Sequence, residues 1–105
     1  MDIQIRIRRA GVGAPAGKLA DAEVHFGDGV LAGLKLVGFA VWARRDGNGN
    51  TVSFPARPFV VHGERRNFAL LRAVHDLAAQ QPLRELVLEA YEAETTAADA
   101  MAADD

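Results

Sequence analysis

The chain has 105 residues, half of them hydrophobic and a quarter charged, with a formal net charge of −2 and no cysteine. That length suits a single domain with a small core, and the missing cysteine excludes disulfides, thiolate metal sites and a cysteine nucleophile. No stretch approaches the ~18 consecutive apolar residues of a membrane span, and the charged opening MDIQIRIRRAG does not read as a signal peptide. A cytoplasmic protein with no membrane partner is therefore the expectation.

IQIRIRR near the start alternates strictly, with Ile3, Ile5 and Ile7 on one side and Gln4, Arg6 and Arg8 on the other, the period of a half-buried strand. AGVGAPAG is a Gly/Pro connection. KLADAEVHF alternates again, with Ala20, Ala22, Val24 and Phe26 apolar and Asp21, Glu23 and His25 polar. A hairpin of these two strands sets Arg6 and Arg8 across from Asp21 and Glu23, a structural role worth only ~0.2–1 kcal/mol per pair.

After the turn Gly27-Asp28-Gly29, the run from Val30 to Arg45 is apolar on both sides. Leu34, Leu36, Ala40 and Trp42 fall on one face, and Val37, Phe39, Val41 and Ala43 on the other. A strand of this kind needs a cover on each face. A helix supplies one cover; a second copy of the chain is the expected other, making Val37, Phe39 and Val41 the candidate dimer interface, though a partly closed barrel would serve as well.

RRDGNGNT supplies hairpin-turn residues, and TVSFPAR follows as a strand with Val52, Phe54 and Ala56 inward. Pro55 has no amide hydrogen, which places that strand at an edge or ends it there, and Pro58 ends it at the latest. RRNFALLRAVHDLAAQQ carries Leu70, Leu71, Val74, Leu77 and Ala78 at helical spacing. Pro82 suits the first position of a helix, whose inner face is Leu83, Leu86, Val87, Ala90 and Tyr91. Residues 94–105, small and acidic, read as a disordered tail beyond a domain of residues 1–93.

Motifs for catalysis are absent. GVGAPAGK ends like a phosphate loop, but Val12 stands where a glycine is required and Leu19 where Ser or Thr is required. His25, His62 and His75 show no ligand spacing. Asp21 and Glu23 are better explained by cross-strand cations than by acid–base work. Thr51, Ser53, Thr95 and Thr96 lie on no strand-to-helix elbow. No enzyme activity, cofactor, metal site or small-molecule substrate is expected.

What remains is basic. Residues 1–72 hold eleven Lys or Arg against six acids, a net +5, while residues 73–105 hold one against eight, a net −7. Such asymmetry fits a nucleic-acid-facing body with an acidic appendage, as well as an unevenly charged surface. Arg44, Arg45, Arg57, Arg65 and Arg66 are the candidate phosphate contacts, since the guanidinium fork suits phosphate oxygens. Trp42, Phe39, Phe54 and Phe59 are interleaved with them, as base stacking requires. The strand phase puts Phe39 and Phe54 in the core, leaving Phe59 the least committed ring.

Three segments in order resemble the stage V sporulation protein G (SpoVG) family. IRIRRA at 5–10 is similar to its opening Val-Arg-Leu-Arg-Arg strand. GNTVSFPAR at 49–57 is similar to its glycine–aromatic–apolar–Met-Pro-Ser-Lys-Arg strand, and LRELVLEAY at 83–91 to its closing helix ending Ala-Val-Leu-x-x-Tyr. The Phe68-to-Tyr91 spacing also suits the family, and the resemblance spans residues 3–92. It implies an α+β fold, a twisted antiparallel sheet of four to five strands followed by one or more C-terminal helices, paired into a dimer. It further implies a small bacterial regulator that binds DNA or RNA. Arg57 is the binding position carried over; Arg8 and Arg9 match in sequence. Three departures stand out. Ser-Lys-Arg is here Ala56-Arg57-Pro58, one cation fewer. The stretch 67–80 reads as helical where the family has strand and loop. The hairpin bearing Arg44 and Arg45 is longer than usual, so these two inherit no role. The expectation is thus a dimeric nucleic-acid-binding regulator. The alternative is a protein-interaction module of the same fold without nucleic-acid binding, favoured by the missing cation and the acidic C-terminal third.

Overall fold

The computed structural model describes residues 2–103, with side chains through residue 97. The fold is α+β. Four antiparallel strands form a sheet in chain order, β1 (Ile3–Arg9), β2 (Lys18–Phe26), β3 (Lys35–Ala43) and β4 (Asn50–Ser53). A separate two-stranded hairpin follows, β5 (Ala56–Val61) and β6 (Glu64–Ala69), and the chain closes in helix α1 (Gln81–Ala103).

Alternation in β1 and β2 becomes a two-faced sheet. Ala20, Ala22 and Val24 are buried, and Ile3, Ile5 and Ile7 pack on the same side. Helix α1 lies across that side, with Val87 fully buried and Leu83, Leu88 and Tyr91 beside it. Asp76 caps the 3-10 turn Leu77–Gln80 that leads into the helix, its side chain accepting from the Ala78 amide. Leu86, placed by spacing on the inner face, is instead exposed.

β3 departs from simple alternation. Val24 pairs with Leu36 but Ala22 with Phe39, so β3 carries one extra residue, a bulge at Val37-Gly38. Gly38 has φ +108°, and a Cβ there would lie 3.1 Å from the Pro55 Cβ. The bulge brings Leu36, Phe39 and Val41 to one face, under the helix, and turns Ala40 and Trp42 to the open face. Of the three residues expected at a dimer seam, Phe39 is 1% and Val41 0% exposed within their own chain, and only Val37, at 52%, reaches solvent. Phe39 and Val41 are core residues because the bulge shifts their phase by one position.

The strand expected over TVSFPAR breaks at Phe54-Pro55. Pro55 cannot donate to the ladder, and it sits against the Gly38 bulge, so the chain leaves the sheet there. β5 then runs through Pro58 rather than ending at it, and Ala56 is exposed. Residues 64–69 form β6, and 70–76 are irregular, where helical spacing predicted a helix. Turn residues His62 and Gly63 decide this, both with positive φ (51° and 80°) as the tightest hairpins require. At the other end, α1 runs to Ala103 through residues predicted to be a disordered tail, an Ala-rich stretch with high helix propensity. Asp104 and Asp105 of that predicted tail lie outside the described residues. No helix among the described residues is long and apolar enough to cross a membrane.

Candidate nucleic-acid interface

The five arginines singled out by the sequence fall in three places. Register pairs Arg57 with Phe68 and Phe59 with Arg66. Directly opposed residues share a face and alternate residues repeat it, so Arg57, Phe59, Arg66 and Phe68 lie on one side of the β5–β6 hairpin. Arg65 pairs with Val60 on the other side, with Pro58 and Asn67. Arg44 and Arg45 occupy the β3–β4 turn, away from the hairpin in the strand order.

Chemistry on the first face is that of a stacking platform with cations set into it. Phe59 is 38% and Phe68 49% exposed. The Arg72 guanidinium lies over the Phe68 ring, 4.1 Å from its centroid, and its Nε donates to the Ala69 carbonyl at 2.9 Å. That hydrogen bond fixes the cation on the ring before any ligand arrives. Arg66 is in loose contact with Glu64 at 3.3 Å, both exposed. Arg57 takes part in no ion pair among the described residues. Phe68 and Arg72 lie in the segment whose spacing predicts a helix, so the sequence does not single them out. Alternation of Arg66 and Phe68 with Arg65, Asn67 and Ala69 after His62-Gly63 is the signal that identifies them.

The second place is a shallow concavity of about 690 Å³ lined by Gly17, Trp42, Arg44, Arg45 and Thr51, among others. Trp42 faces the open side of the sheet, its indole N–H donating to Ser53 Oγ at 2.9 Å. The turn is held by the Asn48 amide donating to Asp46 Oδ1. Neither Arg44 nor Arg45 is ion-paired among the described residues. Phe39 and Phe54 belong to the core side, edge to face with centroids 5.3 Å apart, as their strand phase predicts.

The open sheet face also carries charge. Arg6 stands opposite Glu23 and Arg8 opposite Asp21, so the two arginines face the two carboxylates as expected. The carboxylates, however, are engaged elsewhere: Asp21 with Lys18 at 2.7 Å, and Glu23 with His25 at 3.0 Å and Lys35 at 3.3 Å. The hydrogen bond from His25, then that from Lys35, holds the Glu23 carboxyl below its ordinary pKa. Among the described residues no three His, Asp or Glu side chains converge as a metal site would require.

The chain matches no family model, no curated protein and no solved structure.

Proposed function

We propose that this chain is a small dimeric nucleic-acid-binding protein of regulatory type, working in the bacterial cytoplasm as its resemblance to the SpoVG family implies. One observation carries the reading. The β5–β6 hairpin presents Arg57 and Arg66 beside two solvent-exposed rings, one of them already stacked by Arg72. Arginines meet phosphates and rings meet bases, so a single strand satisfies both sets of groups at once. Trp42 with Arg44 and Arg45 supplies a second contact of the same composition. Arg65, on the opposite side of the hairpin, is not part of this surface. Contacts of this kind give affinity with little sequence choice.

Fluorescence anisotropy with labelled single- and double-stranded oligonucleotides, at low and moderate salt, tests the reading. Single strands bind more tightly, with log affinity falling by about 0.7 per phosphate neutralised for each decade of salt. Arg57→Ala combined with Arg66→Ala weakens binding at least tenfold. An absence of binding to either oligonucleotide at low salt, with and without residues 95–105, removes the reading. It would leave the second reading, a protein-interaction module, which the apolar residue Val60 on the hairpin's other side favours, being 65% exposed.

A further inference from the structure

Trp42 is the chain's one tryptophan. Register sets it in a row on the open side of the sheet, between Lys18 on β2 and Thr51 on β4. Its indole N–H donates to Ser53 Oγ at 2.9 Å. That bond satisfies the ring's one polar group within the chain and leaves its π-face to meet a ligand. Lys18 is likewise engaged, by Asp21 at 2.7 Å.

Two loops wall this corner of the sheet. The Ala43 amide donates to the Gly17 carbonyl at 2.9 Å, tying the end of the β1–β2 connection to the end of β3. Gly17 adds only backbone to that wall. Beyond it the β3–β4 turn closes on itself, the Arg44 amide donating to the Gly49 carbonyl and the Gly47 amide to the Arg44 carbonyl, each at 3.1 Å. The concavity between the loops, about 690 Å³, falls within the roughly 300–1,000 Å³ of small-molecule sites.

The charged groups of its lining are Arg44, Arg45 and Asp46, two cations against one carboxylate, a net +1. Asp46 already accepts from the Asn48 amide at 2.9 Å. Both arginines are exposed and take part in no ion pair among the described residues. Neighbouring guanidiniums without an acid partner suit phosphate, whose oxygens accept from both. The tryptophan face suits a base, and the Thr51 hydroxyl can donate to or accept from it. One ring beside one pair of adjacent cations is the recognition set of one nucleotide. The β5–β6 hairpin, with its two rings and several cations, suits a run of them.

We propose that the concavity at the end of β3 binds a single nucleotide, its base stacked on Trp42 and its phosphate held by Arg44 and Arg45. The chemistry recognised is a flat base carrying a terminal phosphate, whether a free mononucleotide or the 5′ end of a strand. This site goes beyond the strand-binding reading and stands without it, since it uses no part of the β5–β6 hairpin. Arg44 and Arg45 take no role from the family resemblance; the geometry of this chain alone carries the assignment.

Trp42 is its own reporter. Tryptophan fluorescence of the full chain is followed at low salt against adenosine monophosphate, adenosine and inorganic phosphate in separate titrations. The monophosphate quenches saturably, and adenosine and phosphate each bind at least tenfold more weakly. Arg44→Ala combined with Arg45→Ala weakens the monophosphate at least tenfold with unchanged circular dichroism, both side chains being exposed. Arg65→Ala, on the hairpin, leaves it unchanged. No saturable quenching, a monophosphate no tighter than its two parts, an unaffected Arg44/Arg45 variant or an equal loss in Arg65→Ala overturns the proposal. Competition by a short oligonucleotide with or without a 5′-phosphate separates the sources. Displacement by the phosphorylated strand alone assigns the strand end, and displacement by neither assigns the free nucleotide. Equal displacement by both overturns the single-nucleotide assignment. A chain that binds the monophosphate but no oligonucleotide keeps this proposal and removes the strand-binding reading. One that binds oligonucleotides without monophosphate quenching does the reverse.

Discussion

Gly38 shows how one residue decides where a strand's side chains go. Its φ of +108° strains any L side chain, and a Cβ there would press on the Pro55 Cβ at 3.1 Å. Gly38→Ala therefore costs about 1–3 kcal/mol, read as a lower urea midpoint with an unchanged m-value. Phe68 plays a different part, since it is half exposed and packs on Arg72 rather than on the core. Phe68→Ala changes stability by less than about 0.5 kcal/mol but weakens single-strand binding by about 1–3 kcal/mol, the worth of one stacked base. Titrating the two variants with one oligonucleotide separates the roles. Glu23 offers a pH test. Its carboxyl is held below its ordinary pKa by His25 and then Lys35. A depressed folded-state pKa contributes stability above the unfolded value, and that contribution is lost as pH falls through the folded value. Glu23→Gln removes it, so thermal melts of parent and variant differ at neutral pH and converge on acidification.

At the scale of elements, local chemistry and long-range pairing made separate contributions. β1 and β2 were legible because their alternation is strict and each has one wet face, so period alone set both identity and orientation. α1 was legible from Pro82 and from the Leu83–Val87–Tyr91 stripe, which lies against the core as spaced. Val87→Ala in that stripe leaves a cavity and costs about 2 kcal/mol, measurable by the same denaturant titration. β6 was illegible. Leu70, Leu71, Val74 and Leu77 happen to repeat at three and four, yet Leu70, Val74 and Leu77 are solvent-exposed and no α-helix forms there, only the 3-10 turn that Leu77 begins. The rival signal was weaker in type. His62-Gly63 is a turn only if the residues on either side pair, and pairing is a contact, not a propensity. Of the candidate site, Arg57, Arg66 and Phe59 were found. Phe68 and Arg72 were lost with β6, and Arg65 was grouped with side chains it does not face.

On the scale of the whole molecule, shape and charge matter more than any contact. The radius of gyration is 15.6 Å, against about 13 Å for a compact domain of this length, and the β5–β6 arm pairs with no strand of the sheet. The arm's arginines are set against an acidic C-terminal third, and charges closer than about 10 Å interact at ordinary salt. Deleting residues 95–105 removes three of those acids. It raises affinity for single strands several-fold at low salt, and the gain shrinks as salt screens it. Anisotropy titrations across a salt series read both trends.

By itself the amino-acid sequence determined the α+β class, the antiparallel pairing and register of β1 with β2, the helix after Pro82, and the surplus of arginine ahead of it. Each follows from local periodicity or from a residue's own backbone chemistry. Tertiary structure alone decided which arginines share a face, that Val41 is internal, and that β5 and β6 leave the sheet as an arm. The first is set by the register of the hairpin that turns at His62-Gly63, the others by the extra residue at Gly38 and the Pro55 beside it. A one-residue change of phase moves every later side chain to the opposite face, and no local pattern records it.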